Sequence, residues 1–150
     1  MSTGKDSNTL QKREIARGKK YISRLFMKGS RQKGNDLLMI CTQADRDRAD
    51  RGSSLRVMFT VGKKSVPKAV TRNRVKRLLR EAYRQEKHDV LKIVERMHED
   101  DGVVMLIAFL YKGKQDSIPS LSDFRTEIRQ FLRSINGRQL RQAADGHAGK

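Results

Sequence analysis

The sequence predicts an α+β domain built on one small sheet, and three observations carry that prediction. Apolar residues switch between helical and strand spacing in the order helix, strand, strand, helix, strand, helix. Val103 to Leu110 is apolar on both faces, as a central strand covered on two sides would be. At 150 residues the chain suits one core, and no internal repeat divides it.

The elements follow in order. Residues 1–10 are small and polar and are expected to be disordered, ahead of a domain spanning 11–136. A first helix is predicted over Lys19 to Lys28, with Tyr21, Ile22, Leu25 and Phe26 sharing one face and Gly29 closing it in the left-handed conformation. Asp36 to Thr42 reads as a short apolar strand, and Gln43 to Ser54 as a solvated, charge-alternating loop. Leu55 to Val61 alternates, with Val57, Phe59 and Val61 on one side and Arg56, Met58 and Thr60 on the other, so it reads as a half-buried strand.

A lysine-rich connection, Gly62 to Lys68, leads into the longest helix near Ala69, and Pro67 suits that start. Asp89 to His98 keeps a helical pattern, as a continuation or a second segment, until Gly102. After the central strand, Ser120 and Asp123 form an S-x-x-D capping box. Leu121, Phe124, Ile128, Phe131, Leu132 and Ile135 then make an amphipathic stripe that Gly137 can end. Residues 137–150 are expected to form a disordered tail.

Charge narrows the function. Lys and Arg total 34 against 17 Asp and Glu, a net charge of +17. Self-repulsion on that scale is relieved by a polyanion, with nucleic acid the leading candidate and an acidic membrane surface second. No apolar run approaches the ~20 residues of a membrane span, and the N-terminus lacks a secretory pattern. Cys41 is the only cysteine; between apolar neighbours it reads as a buried thiol, and the cytoplasm is the expected compartment.

The chemistry concentrates between Gly62 and Arg84. On a helical wheel, Val75, Leu78, Leu79, Ala82 and Tyr83 share one arc, while Arg72, Asn73, Lys76, Arg77, Arg80 and Arg84 share a neighbouring one. Arg74 and Glu81 lie apart from both, seven residues separated and able to pair. Lys63, Lys64 and Lys68 extend the positive surface around the helix start. A face kept only for solubility usually mixes both signs, whereas this one is nearly free of acid. Its arginines can fork onto phosphate oxygens, and Asn73 can reach a base edge or a 2′-hydroxyl.

The string KK…AVTRNRVKRLLRE, with Arg72-Asn73-Arg74 at its centre, resembles the signature of the bacterial ribonuclease P protein component. The likeness runs from about Leu10 to Ile135 and takes in Arg56 to Val61 and Phe26-Met27-Lys28-Gly29. The resemblance implies a two-layer α/β sandwich with a small central sheet and a left-handed β-α-β crossover, in the class named for the second domain of a small-subunit ribosomal protein. It implies that the basic helix docks on a large catalytic RNA, with one protein per RNA. It also implies that a cleft between the first helix and the sheet holds the single-stranded 5′ leader of precursor tRNA. Hydrolysis would belong to the RNA and its Mg²⁺ ions, with no catalytic side chain or cofactor from the protein.

The aromatic cleft positions of that family map onto Ile22, Phe26 and about Ile40, of which only Phe26 is aromatic. Stacking on aromatics contributes ~1–3 kcal/mol per base, so this cleft would rely more on packing and charge. Ile22 and Ile40 read equally well as ordinary core. Tyr21 would serve only if rotated by about 100° from the direction of Ile22.

Other chemistries find little footing. His88, His98, His147 and Cys41 do not form a zinc pattern, and Glu99-Asp100-Asp101 reads as a solvated turn. Neither a nucleophile elbow nor a phosphate-binding P-loop is present. Two functions remain open: the non-catalytic subunit of a ribozyme, and a structural, ribosome-associated RNA-binding protein without a role in cleavage. A metal-dependent nuclease in its own right would need a carboxylate cluster.

Overall fold

The computed structural model describes residues 10–47, 49–97 and 102–135. The expected N-terminal arm before Leu10 and the tail lie outside them, as do Gly137, His98, the Glu99–Asp101 run and His147. In chain order, a 3-10 turn (Lys12–Glu14) precedes helix α1 (Lys19–Lys28), strands β1 (Ser30–Lys33), β2 (Leu37–Asp45) and β3 (Leu55–Val61), helices α2 (Ala69–Glu86) and α3 (His88–Met97), strand β4 (Val103–Tyr111) and helix α4 (Leu121–Ser134).

The strands form one mixed sheet in the order β1-β2-β4-β3. β2 pairs antiparallel with both β1 and β4, while β3 runs parallel to β4 in the register Leu55↔Met105 to Val61↔Tyr111. A parallel pair needs a crossover connection, and α2 with α3 supplies it, giving the β-α-β unit. β4 is central, and all its residues but Leu110 are buried, in accord with its two-sided apolar run.

Side-chain alternation sends the sheet residues into two clusters. Leu37, Met39, Cys41, Val57, Val61, Ile107, Phe109 and Tyr111 meet α2, α3 and α4, forming the main pair of layers. Leu38, Ile40, Ala44, Val104, Leu106 and Ala108 face the other way and meet Tyr21 and Leu25 of α1. The helix side is knit by rings: Phe59 stacks on Phe109 at 6.0 Å, and Tyr83 and Phe131 both tilt against Phe109. Burial raises the Cys41 thiol pKa to about 12, so it is a core atom rather than a nucleophile.

Several local expectations hold. Ser120 Oγ accepts from the Asp123 N–H at 3.1 Å, and the Asp123 carboxylate accepts from the Ser120 N–H at 3.3 Å, closing the capping box of α4. Phe124, Ile128, Phe131, Leu132 and Ile135 are buried along its stripe.

Others are corrected. Gly29 is not left-handed (φ −73°, ψ 144°); it is small because a Cβ there would overlap Ile40 Cγ2 and the Leu25 carbonyl. Strand β1 was not expected, since SRQK has no apolar alternation; it is an edge strand, mostly exposed. β2 runs on to Asp45, because Gln43 and Ala44 sit opposite Met105 and Val104 and are buried there. The Arg74–Glu81 pair that the helical wheel allows does not form. Two helical turns separate those side chains, and Glu81 is taken by Arg84, one turn away, and by Gln85 at 2.9 Å.

Two polar anchors hold the periphery. The Lys87 ammonium, 2% exposed between α2 and α3, donates to Glu14 Oε1 at 2.6 Å, tying the N-terminal turn under the helix layer. Glu86 accepts from Arg129 Nε at 2.9 Å and Arg125 Nε at 2.8 Å, which fastens α2 to α4 and lowers the Glu86 pKa.

Candidate RNA interface

Helix α2 buries Val75, Leu79, Ala82 and Tyr83 against the sheet and α4, with Leu78 half-buried beside them. That phase turns Asn73, Arg74, Arg77 and Arg80 outward, all exposed. Lys76 lies on a flank and is half-buried. Among the described residues, Arg74, Lys76, Arg77 and Arg80 make no ion pair, nor do Lys63, Lys64 and Lys68 before the helix. The first turn has neither a side-chain cap nor an acid, so the positive end of the helix dipole adds to the field.

Two expected members of that face are engaged elsewhere. Arg72 Nη1 donates to the Val66 and Pro67 carbonyls, at 3.0 and 2.7 Å, and so pins the loop that starts α2. Arg84 is held by Glu81, which lowers the Glu81 pKa and raises that of Arg84. The outward cationic set therefore centres on Arg74, Arg77 and Arg80, and Arg74 joins the face rather than standing apart from it. Val70, 82% exposed, caps its N-terminal end with apolar surface.

The second candidate region lies across the sheet. Tyr21 and Leu25 seat α1, and Arg24 Nε donates to the Gln43 carbonyl at 3.0 Å on one flank. Ile22 and Phe26 occupy the opposite flank of the helix. On the α1 face of the sheet, Met58, Thr60 and Leu110 are half-buried, and Met58 and Leu110 pack against the same cluster as Tyr21 and Leu25. Phe26 is 36% exposed and Ile22 half-buried, so both offer apolar surface on that flank of α1. Ile40 does not: it is fully buried beneath α1 and Gly29, and its environment is core.

The loop between β2 and β3 is exposed at Asp47, Ala49 and Arg51, as its composition suggests, yet it is also tied to α1 and β3. Asp50 accepts from the Tyr21 hydroxyl at 2.6 Å, from the Gly52 N–H at 2.8 Å and from Arg56. The Arg56 guanidinium lies 5.4 Å from the Tyr21 ring centroid. Lys20 pairs with Asp47 at 2.5 Å, and Arg46 donates to the Gly52 carbonyl at 2.7 Å. Tyr21 is therefore committed to these contacts, a latch between α1 and the loop, rather than to the flank that carries Ile22 and Phe26. The pairing D-R-D-R-A-D of the loop with the basic residues of α1 was the available signal.

Among the described residues no group of three or more His, Cys, Asp or Glu side chains could hold a metal ion. No helix among them is long and apolar enough to cross a membrane. The two regions offer cationic surface on α2 and apolar surface on α1.

Comparison with known proteins fits that surface. Residues 10–110 match the family model described as Ribonuclease P. The ribonuclease P protein component of Chlorobaculum tepidum is 44% identical over 146 residues, covering 97% of this chain and 95% of the relative. That of Chlorobium phaeobacteroides is 39% identical over 139 residues, covering 92% and 95%. Among solved structures, the RNase P protein of Staphylococcus aureus superposes with a TM-score of 0.52 at 16% identity, covering 80% of this chain and 93% of that one. That similarity carries the fold: the α+β sandwich with its β3-α2-β4 crossover. The Arg72-Asn73-Arg74 helix, the fold and the near full-length identity agree, and this chain belongs to the ribonuclease P protein family.

Proposed function

We propose that this chain is the protein subunit of ribonuclease P, binding the catalytic RNA through α2 and the 5′ leader of precursor tRNA beside α1. A ribonuclease P protein component is a subunit of an endoribonuclease holoenzyme, and membership of that family supports the assignment. The single observation that carries the RNA-docking part is the outward face of Arg74, Arg77 and Arg80, unmatched by any carboxylate among the described residues.

The mechanism follows from charge. Guanidinium and ammonium groups on α2 and its approach replace condensed counterions along RNA phosphates, and the released ions drive association. Neutralised phosphates repel less, so the active RNA fold needs less free Mg²⁺. Hydrolysis is assigned to the RNA, which would hold the Mg²⁺. On the other face of the sheet, Phe26 and Ile22 would pack against leader bases, with the half-buried Met58 and Leu110 adding apolar surface on that face. That contact extends substrate recognition upstream of the cleavage site.

Sequencing the RNA that co-purifies with the protein tests the assignment. Ribonuclease P RNA is expected as the dominant species; ribosomal RNA in its place would favour a structural RNA-binding role and overturn the proposal.

A further inference from the structure

Beyond α2, a second set of lysines stands at the same edge of the molecule. β3 and β4 are parallel and end in the same row, Val61 beside Tyr111. The loops that leave them therefore start side by side, one strand spacing apart, about 4.8 Å. One continues Gly62-Lys63-Lys64, the other Lys112-Gly113-Lys114. Lys63, Lys64, Lys68, Lys112 and Lys114 are all exposed.

The second loop is built rather than loose. The Tyr111 hydroxyl donates to the Lys114 carbonyl at 2.9 Å, and the Lys112 N–H donates to the Asp36 carbonyl at 2.7 Å. A Cβ on Gly113 would overlap the Tyr111 hydroxyl and ring, so only glycine lets the loop fold down on that ring between its two lysines. Gln115 then reaches across: its Oε1 accepts from the Lys68 N–H at 2.9 Å, joining the loop to the start of α2. Asp116 is the one acid of the turn, and neither Lys112 nor Lys114 pairs with it or with any other described carboxylate.

We propose that the Lys112-Gly113-Lys114 turn is part of the RNA-docking surface, gripping RNA phosphates beside Lys63, Lys64 and Lys68 and widening the contact beyond α2. This rests on the reading of α2 as the RNA-docking helix. Fixed backbone with mobile ammonium groups suits a phosphate backbone, which asks for charge at a set height rather than for base-edge geometry.

Filter binding of the full-length protein to its cognate ribonuclease P RNA across a salt series tests it. Each lysine–phosphate contact adds roughly 0.7–0.9 to the slope of log K against log salt. The Lys112→Ala/Lys114→Ala protein should therefore lose roughly 1.5 from that slope. The Lys112→Arg/Lys114→Arg protein should keep the slope, and the melting temperature should not move in either. As reference, Arg77→Ala/Arg80→Ala should lose a similar amount. If the arginine pair lowers the slope and the lysine pair leaves it unchanged, the proposed surface is wrong while the α2 assignment stands. If neither pair changes it, both fall.

Discussion

The Tyr21 hydroxyl donates a 2.6 Å hydrogen bond to Asp50, which lies 29 residues further along the chain. Through it the β2–β3 loop helps fix the rotation of α1, the rotation that buries Tyr21 and Leu25 and leaves Phe26 exposed. Burial alone would raise the Asp50 pKa; the bonds from Arg56, Tyr21 and the Gly52 N–H, with the Arg56 charge, outweigh it and hold the group at about 2 instead of 3.8.

A lowered folded-state pKa stabilises the fold at pH values above the unfolded value, and the stabilisation disappears as pH falls through the folded one. Asp50 should contribute roughly 2 kcal/mol above about pH 4, fading between pH 4 and pH 2. Asp50→Asn should thus be less stable than the parent at pH 7, with the gap closing as the solution is acidified. Denaturant melts between pH 7 and pH 2 read this directly; a gap independent of pH would contradict the pairing.

The Glu14–Lys87 pair predicts a larger loss. Glu14→Gln leaves a Lys87 ammonium that is 2% exposed without this carboxylate, which should cost on the order of 3 kcal/mol. Lys87→Met with Glu14→Gln, which removes both charges, should recover much of it. A single variant that melts with the parent would show that the pair is not buried in solution.

Charge reversal on α2 should separate binding from folding. Arg77 and Arg80 are exposed and pair with no carboxylate among the described residues, so Arg77→Glu or Arg80→Glu should shift stability by no more than about 0.5 kcal/mol. Affinity for the cognate RNA should fall by about tenfold or more, since a phosphate contact is replaced by repulsion. Collapse of thermal stability would mean that these side chains belong to the interior.

Phe26 and Ile40 make opposite predictions, although both map onto cleft positions. Phe26→Ala should raise the KM for leader-bearing precursor by the loss of about one stacked base, ~1–3 kcal/mol, and leave RNA docking unchanged. Ile40→Val should cost ~0.5–1.5 kcal/mol of stability with no leader dependence, because the side chain is core. Equal KM values with and without a leader for Phe26→Ala would remove its role.

The fold was legible where hydrophobic spacing is strong. The two-sided run of β4, the alternation of β3 and the stripe of α4 each find the expected environment. β1 was not legible, because an edge strand with both faces polar carries no period. The core side of α2 could be read from the wheel, but not which arginines stay free. That depends on one-turn partners such as Glu81 and on carbonyls such as Val66 that only the folded loop brings close. The latch was hidden for a similar reason: acid–base alternation in a loop looks the same whether its partner is water or a helix. Ile40 shows the limit of mapping by motif, since a position can keep its place in the strand and still lie under a helix.

The central claim is that the outward cationic face of α2 serves a catalytic RNA. The most direct test is cleavage of a leader-bearing precursor tRNA by the cognate ribonuclease P RNA at low Mg²⁺, with and without this protein. The account predicts correct 5′-end cleavage that depends on the protein at low Mg²⁺ and is sharply reduced by Arg77→Glu. Cleavage that is no faster with the protein than without it would contradict the account.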